Sequence, residues 1–421
     1  MGRKYMSAFR NSRYFALGLF LLISWNSAAQ LDINALLSSA NNDQSLRIYR
    51  AQLDFLSEEK LNSPWIHRVE FRTRTNDFNL SQEDFRFRLA PVNPAEVKAN
   101  KEYFKIQQQL TDTKYQLALN EALMDRYETI IKWKFLWEGR KILENDRLIL
   151  EDMLDIYASQ VNSLDFDYDD YVDAERDRVF LDMEFMQTDN QIENASFRFR
   201  NVFFYNGNID PEIELISIEG IRNIMESNSV LGDSANLRLL EAEQELLLAN
   251  SDLMVDKAEN RRNIGYFQAE YDSERGNEFQ EHMGFQIGIR IPITNPDRPD
   301  LQRSRLDLID DEYDSDREVQ LLKLERTEQE MKINHLLKSY DFLFQRRKSF
   351  EETVIDAQTL SDDPLRVLKN LETLSRLDKK LLDLKTQIYF TYIDLLDLYG
   401  MIASQPLRNY LSESLNLIDQ Q

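Results

Sequence analysis

The sequence predicts a mainly helical chain with a small membrane-spanning β part, four strands per copy, that must oligomerise to close. Three observations carry this prediction. Chain breakers are scarce, the plan of the chain is written twice, and the apolar period changes from about 3.5 to 2 at two matching places. Gly is 11 and Pro is 9, together under 5 % of the 421 residues, where average usage gives roughly 12 %. Turns are therefore few and the elements between them long.

The first thirty residues read as an address. Met1 to Arg13 is basic, Tyr14 to Trp25 is apolar, and Ser27-Ala28-Ala29 precedes Gln30 with small residues. That is the layout of a secretory signal peptide, assigned here to 1–29. The apolar run falls short of the ~20 residues that a spanning helix needs. Beyond it, Asp394 and Asp397 break the longest apolar stretch, Ile388 to Ala403. Any later membrane passage must use strands.

The duplication is legible residue by residue. Ser45-Leu46-Arg47-Ile48-Tyr49-Arg50-Ala51-Gln52 returns as Asn236-Leu237-Arg238-Leu239-Leu240-Glu241-Ala242-Glu243. Pro91 is answered by Pro292, and Ser163-Leu164 by Pro364-Leu365, both at an offset of 201. A period this long is a whole structural plan repeated. The expected organisation is a first repeat over 30–200, a linker over 201–233, a second repeat over 234–405 and a tail over 406–421.

Each repeat reads as helix, two strands, then a long helical stretch with one break. The opening helices are expected at Asp43 to Leu61 and Ser234 to Asn260, and the strands at about 64–75, 83–91, 263–273 and 281–292. Pro94 and Pro296 sit where a first helical turn tolerates them, because the missing N–H is one the helix leaves unpaired. Helical hairpins follow at 95–200, with a tip near 161–164, and at 297–403, with a tip near 361–364. Leu374, Leu377, Leu381, Leu384, Ile388, Tyr392, Leu395, Tyr399 and Ile402 step by threes and fours, as a coiled-coil seam does.

In the strands, one face is apolar and the other charged. The apolar set is Trp65, Val69, Phe71, Phe85, Phe87, Phe267, Tyr271, Phe285, Ile287 and Ile289. The polar set is Arg68, Glu70, Arg72, Arg86, Arg88, Gln268, Glu270 and Arg290. Aromatics outward and arginines inward suit a lipid-facing wall around a wet lumen. Four strands cannot close, and lipid forbids open edges. Two copies give eight strands, a width side chains fill, whereas three give twelve and leave room for water. Two hairpins capping a soluble helical bundle are the alternative.

Composition narrows the function classes. Cys is absent and His is 3, which removes thiol chemistry and Cys-based metal sites. His67 and His282 fall on or beside strands and His335 in mid-helix, with no catalytic role expected. The formal charge is −23, and the leader is purely basic, so the remainder is more acidic still. Nucleic-acid phosphates require the opposite sign. Asp165, Asp167, Asp169, Asp170 and Asp173 suggest calcium, but an EF-hand loop starting at Asp165 needs Gly sixth and Glu twelfth. The sequence supplies Asp170 and Arg176. No enzyme, cofactor or metal site is expected.

At this point the chain resembles the TolC family of outer membrane efflux proteins over nearly all of its mature length. Gly284-Phe285-Gln286-Ile287-Gly288-Ile289-Arg290-Ile291-Pro292-Ile293 is similar to the family's last strand with its closing Pro. The duplicated order, Asn236-Leu237 opening a helix, and a C-terminal helix closing on Leu398-Tyr399-Gly400 support it. The resemblance implies a homotrimer: a 12-stranded outer-membrane β-barrel continued by a long periplasmic α-helical coiled-coil barrel, with 201–233 in an equatorial belt. It implies passive conduction of solutes or polypeptides, served by a periplasmic adaptor and an inner-membrane pump. It also implies that Ser163, Leu164, Pro364 and Leu365 mark periplasmic tips, and that Asp170 matches a gate aspartate. Arg366 and Lys369 lie opposite, and Asp170 is expected to pair with Arg366. A secreted or periplasmic coiled-coil scaffold that conducts nothing is the competing function, separable by whether carbonate washing releases the protein.

Overall fold

The computed structural model describes residues 32–58, 65–75, 83–161, 166–205, 207, 211–227, 236–260, 264–272, 282–289, 298–358 and 363–418. The expected leader 1–29, the expected tip residues Ser163 and Leu164, and Arg290 lie outside the described residues. The first helix, α1, is Ile33–Ser38, followed by a 3-10 turn at Ser39–Asn42. Then come α2 (Leu46–Glu58), β1 (Ile66–Thr75), β2 (Glu83–Pro91), α3 (Pro94–Gln160) and α4 (Tyr168–Phe197). A π turn at Arg198–Val202 and α5 (Ile218–Glu226) precede α6 (Leu237–Asn260), β3 (Ile264–Tyr271), β4 (Met283–Ile289), α7 (Arg298–Gln358) and α8 (Pro364–Leu398). The order helix, strand, strand, long helix, long helix thus occurs twice.

Local chemistry sets the ends of these elements. Asn93 accepts from the Ala95 amide just before Pro94 opens α3. Asp167 accepts from the Asp169 and Asp170 amides at the start of α4, and Asp363 from the Leu365 amide beside Pro364 at the start of α8. Each side chain satisfies an amide that the first helical turn leaves unpaired. The opening helices are shorter than expected, since α2 begins at Leu46 and α6 at Leu237. The last helix also stops early. Gly400 takes φ 69°, and the Gly400 and Met401 amides return to the Asp397 and Leu396 carbonyls, the left-handed cap that Gly allows. Ile402, expected on the helical seam, is buried past that cap.

The chain divides into two compact units. One comprises Met1–Asp43, Leu119–Ser234 and Glu325–Gln421, the other Gln44–Ala118 and Ala235–Leu324. The first unit has an aromatic core in which Trp133, Tyr127, Tyr389, Tyr392, Tyr410, Phe199 and Phe203 are fully buried. Trp133 meets Phe199 edge-on at 5.7 Å between ring centroids, and Phe135 meets Tyr389 at 5.0 Å. The segment after α8 is no loose tail. Tyr127 donates to the Arg408 carbonyl at 2.8 Å and accepts from the Tyr410 amide. Asn409 donates to Asn34, and the Ile216 amide to the Leu411 carbonyl. Burial of Leu407, Leu411 and Ile418 fixes this segment against the core.

In the second unit the four strands form one antiparallel sheet in the order β1-β2-β3-β4. α2 and α6 belong to the same unit. Lys114 bridges to Glu241 and Glu245 of α6, Arg238 of α6 pairs with Glu318, and Asn93 donates to the Ala258 carbonyl.

Candidate functional site

Two regions gather the candidate residues, one in each unit, beginning with the sheet. Its register is continuous across four strands. Val69 faces Leu89, which faces Phe267, which faces Ile287; Phe71 faces Phe87, then Ala269, then Phe285. The period-two pattern therefore lines up across strands from both repeats, so one face is apolar except for His67, Thr73, Thr75 and Glu83 near its margins. That face is bare: Phe285 is 80 % exposed, Trp65 73 % and Ile289 70 %. Phe71 and Phe85 stack at 6.1 Å, and Tyr271 lies between Phe85 and His282. Among the described residues, nothing pairs with the outer edges of β1 and β4.

The opposite face collects the charged set. Glu70 sits beside Arg88 in register, Arg72 beside Arg86, Arg86 beside Glu270, and Gln268 beside Gln286. Arg68 reaches Glu70 at 2.8 Å and Arg72 reaches it at 3.0 Å. Arg88 donates twice to Gln268, at 2.9 and 3.1 Å, while its guanidinium lies 4.2 Å from the Tyr266 ring centre. Gln268 in turn donates to Glu270 and to Gln286. The sequence pattern placed Arg68, Glu70, Arg72, Arg86, Arg88, Gln268 and Glu270 on one face, and the register does so too. It missed Tyr266, whose signal was an aromatic ring at a polar-face position.

The second region is the described part of the helical tip in the first unit. Ile149, Met153, Leu154, Tyr157 and Ala174 form an apolar cluster, with Leu365, Leu368 and Leu371 of α8 packed on it. A cavity of about 380 Å³ beside it is lined by Asp146, Tyr157, Asp170, Glu184, Lys369 and Lys379. Lys369 Nζ donates to Asp170 Oδ2 at 2.9 Å and the Tyr157 hydroxyl donates to the same oxygen at 3.2 Å. The hydrogen bond from Lys369 holds the Asp170 carboxyl below its ordinary range against the opposing effect of burial. The same bond, also opposed by burial, raises Lys369. Farther along α8, Lys379 bridges Asp146 and Glu184, and Lys385 reaches Glu138.

The expected pairing of Asp170 with Arg366 is corrected here: the cation on Asp170 is Lys369. α8 starts at Pro364, so Arg366 lies in its exposed first turn, whereas Lys369 stands a turn farther in, where α8 packs against α4. Leu365 joins the apolar cluster, and Pro364 is the first residue of the helix. Nothing in the sequence sets Tyr157 apart from the other apolar residues of its long helix.

With both regions in view, the chain can be set beside known proteins. A scan of family models found no match, and a search of curated proteins found none. Solved structures do match. CusC, described for the conformational changes that accompany folding and transmembrane channel formation, aligns over 88 % of this chain and 92 % of its own, with a TM-score of 0.66 at 13 % identity. This is the TolC-type fold. The outer membrane protein VceC of Vibrio cholerae matches over 87 % of this chain and 96 % of its own, with a TM-score of 0.65 at 12 % identity. The MtrE outer membrane channel of Neisseria gonorrhoeae, in its open state, covers 88 % and 89 % with a TM-score of 0.62 at 14 % identity. In a TolC-type fold each chain supplies four strands and long helices, as this one does. Among the described residues no helix is long and apolar enough to cross a membrane, and none holds a cluster of acids and imidazoles fit for a metal ion.

Proposed function

We propose that this chain is one subunit of a homotrimeric outer membrane channel that conducts substrates passively out of the periplasm. The observation that carries the reading is the sheet: one face of bare aromatic and aliphatic side chains, one face of charged and polar groups, and two edges with no partner among the described residues. In water such a face and such edges are an aggregation hazard. In lipid the apolar face is satisfied, and edge pairing between three copies closes twelve strands around a lumen. Trp65, Val69, Phe71, Phe85, Phe87, Phe267, Tyr271, Phe285, Ile287 and Ile289 then face lipid. Arg68, Glu70, Arg72, Arg86, Arg88, Gln268 and Glu270 face the lumen. The long helices form the periplasmic part, where a membrane-fusion adaptor and an inner-membrane pump are the partners, and the leader 1–29 exports the chain. Asp170, Lys369 and Tyr157 hold the periplasmic aperture closed, with Pro364, Leu365 and Arg366 at the tip.

The neighbours support this reading through their descriptions, outer membrane channels in the case of MtrE and of the Campylobacter jejuni CmeC. The test is direct. The purified chain should require detergent, migrate as a heat-modifiable trimer and give single-channel steps in planar bilayers. Release from membranes by carbonate washing, with no steps at any voltage, would leave a periplasmic scaffold.

A further inference from the structure

The chain as a whole is strongly acidic, at −23, yet the polar face of its sheet is not. At described strand positions on that face stand Arg68, Arg72, Arg74, Arg86 and Arg88 against Glu70, Asp84 and Glu270. How these groups are layered matters more than the excess. Glu70 is only 14 % exposed and Glu270 18 %, while Arg68 is 66 % exposed, Arg72 61 % and Arg86 48 %. The carboxylates lie at the base, tied down by arginines and glutamines, and the guanidinium groups stand above them. Solvent approaching this face meets cations first.

These guanidiniums are also preorganised. Glu70 holds Arg68 and Arg72 from either side along β1. Gln268 fixes Arg88 through two hydrogen bonds, and the Tyr266 ring carries its flat face. Arg72 and Arg86 are direct cross-strand neighbours, which places two like charges side by side. Arg72 is paired with Glu70 at 3.0 Å and Arg86 with Glu270 at 3.7 Å; like charges directly opposite each other still repel, and an anion between the two forks would relieve that repulsion. Planar guanidinium forks match the oxygens of carboxylate and phosphate groups better than they match a halide.

We infer that the polar face of this sheet is an oxyanion-binding lining, centred on Arg72 and Arg86 and flanked by Arg68 and Arg88, that draws anionic solutes carrying carboxylate or phosphate groups. The inference rests on the channel reading, because only in a closed barrel does this face become a lumen. Three copies multiply the surplus of arginine, and a lumen walled by lipid-facing strands focuses its field.

The experiment uses the full chain as a trimer in planar bilayers under a potassium chloride gradient. The zero-current potential should show chloride preferred over potassium by at least about twofold, and inorganic phosphate at millimolar levels should reduce the chloride current by competing for the forks. Arg72→Glu with Arg86→Glu should invert the preference and abolish the phosphate effect. If that pair fails to assemble, seen as loss of the heat-modifiable trimer, Arg72→Gln with Arg86→Gln decides, and should bring the ratio near one. Wild-type channels that prefer potassium, or neutralised channels that keep the wild-type ratio and phosphate response, overturn the inference while leaving the channel standing. Absence of any steps removes the channel reading and the inference with it.

Discussion

The aromatic core and the helical tip lie in one compact unit and share α3 and α8, yet different forces hold them. In the core, burial dominates: Trp133, Tyr127, Tyr389, Tyr392, Phe199 and Phe203 are sealed from water, and the buried hydroxyls of Tyr127 and Tyr392 reach backbone carbonyls of the closing segment. Even the buried cation there is enclosed. Arg126 bonds Asp43, Ser39 and the Ala122 carbonyl while lying 4.6 Å from the Phe203 ring centre. At the tip, α8 is joined to α3 and α4 by a small apolar cluster and by lysines on carboxylates, several of them half in water. Buried packing is strong and bistable only at high cost, whereas exposed ion pairs are weak and screened. On the proposed channel reading, a body that stays fixed and an end able to part are the mechanical expectation.

The comparison breaks first at Trp133. Trp133→Ala removes the largest buried ring and should cost about 3–5 kcal/mol, read as a fall in the thermal midpoint of detergent-solubilised protein followed by far-ultraviolet circular dichroism. A cost no greater than that of a tip substitution would erase the distinction. Asp43→Ala comes next, because it strands the Arg126 guanidinium, which burial already holds below its ordinary pKa. Loss of the partner of a buried charge costs several kcal/mol; here about 2–3 kcal/mol is expected, since Asp43 itself is partly in water. Tyr127→Phe keeps the ring and deletes the hydroxyl that serves both Arg408 and Tyr410. It should cost about 1–2 kcal/mol and loosen the closing segment, seen as faster amide exchange at Tyr410 than in the wild type.

Much of the sheet was legible in the sequence because strand periodicity is local. The alternation of Phe85, Phe87 and Leu89 with Arg86 and Arg88 fixes the faces before any partner is known. Pro94 and Pro364 were equally legible, since they act on the backbone where they stand, whereas the apolar seam read on through Gly400 to Ile402, past the cap that ends the helix. The aromatic core was not. Tyr127, Trp133 and Tyr389 sit on long helices whose apolar residues recur everywhere, and nothing in their spacing says which turn will be sealed by residues hundreds of positions away. The closing segment after Gly400 has too little regular structure to show a period, so its role emerges only from contacts with Asn34, Tyr127 and Ile216. The Asp170 partner failed for a related reason: Arg366 and Lys369 are one helical turn apart, and only the start of α8 decides which of them reaches the carboxylate.

That partner choice yields the smallest effect on stability and the sharpest on function. Lys369→Gln should cost under about 1 kcal/mol, since both side chains are half exposed, but on the proposed channel reading it should raise the open probability. The signs follow from the two shifts. The folded-state pKa of Asp170 is depressed, chiefly by the hydrogen bond from Lys369, so its contribution is present above the ordinary carboxylate range and lost as pH falls through the depressed value. Lys369 is raised, so its contribution is complete below the ordinary lysine range and lost only as pH climbs through the raised value. Open probability should therefore be flat from about pH 5 to 9 and rise below about pH 4, with the acid rise blunted in 1 M salt, which already screens the pair. Lys369→Gln should remove the acid limb. Arg366→Glu should leave it intact, because Arg366 does not touch Asp170 in the structure. If Arg366→Glu instead reproduces Lys369→Gln, the aperture is held by the outer turn of α8, and the contact on Lys369 is incidental to gating.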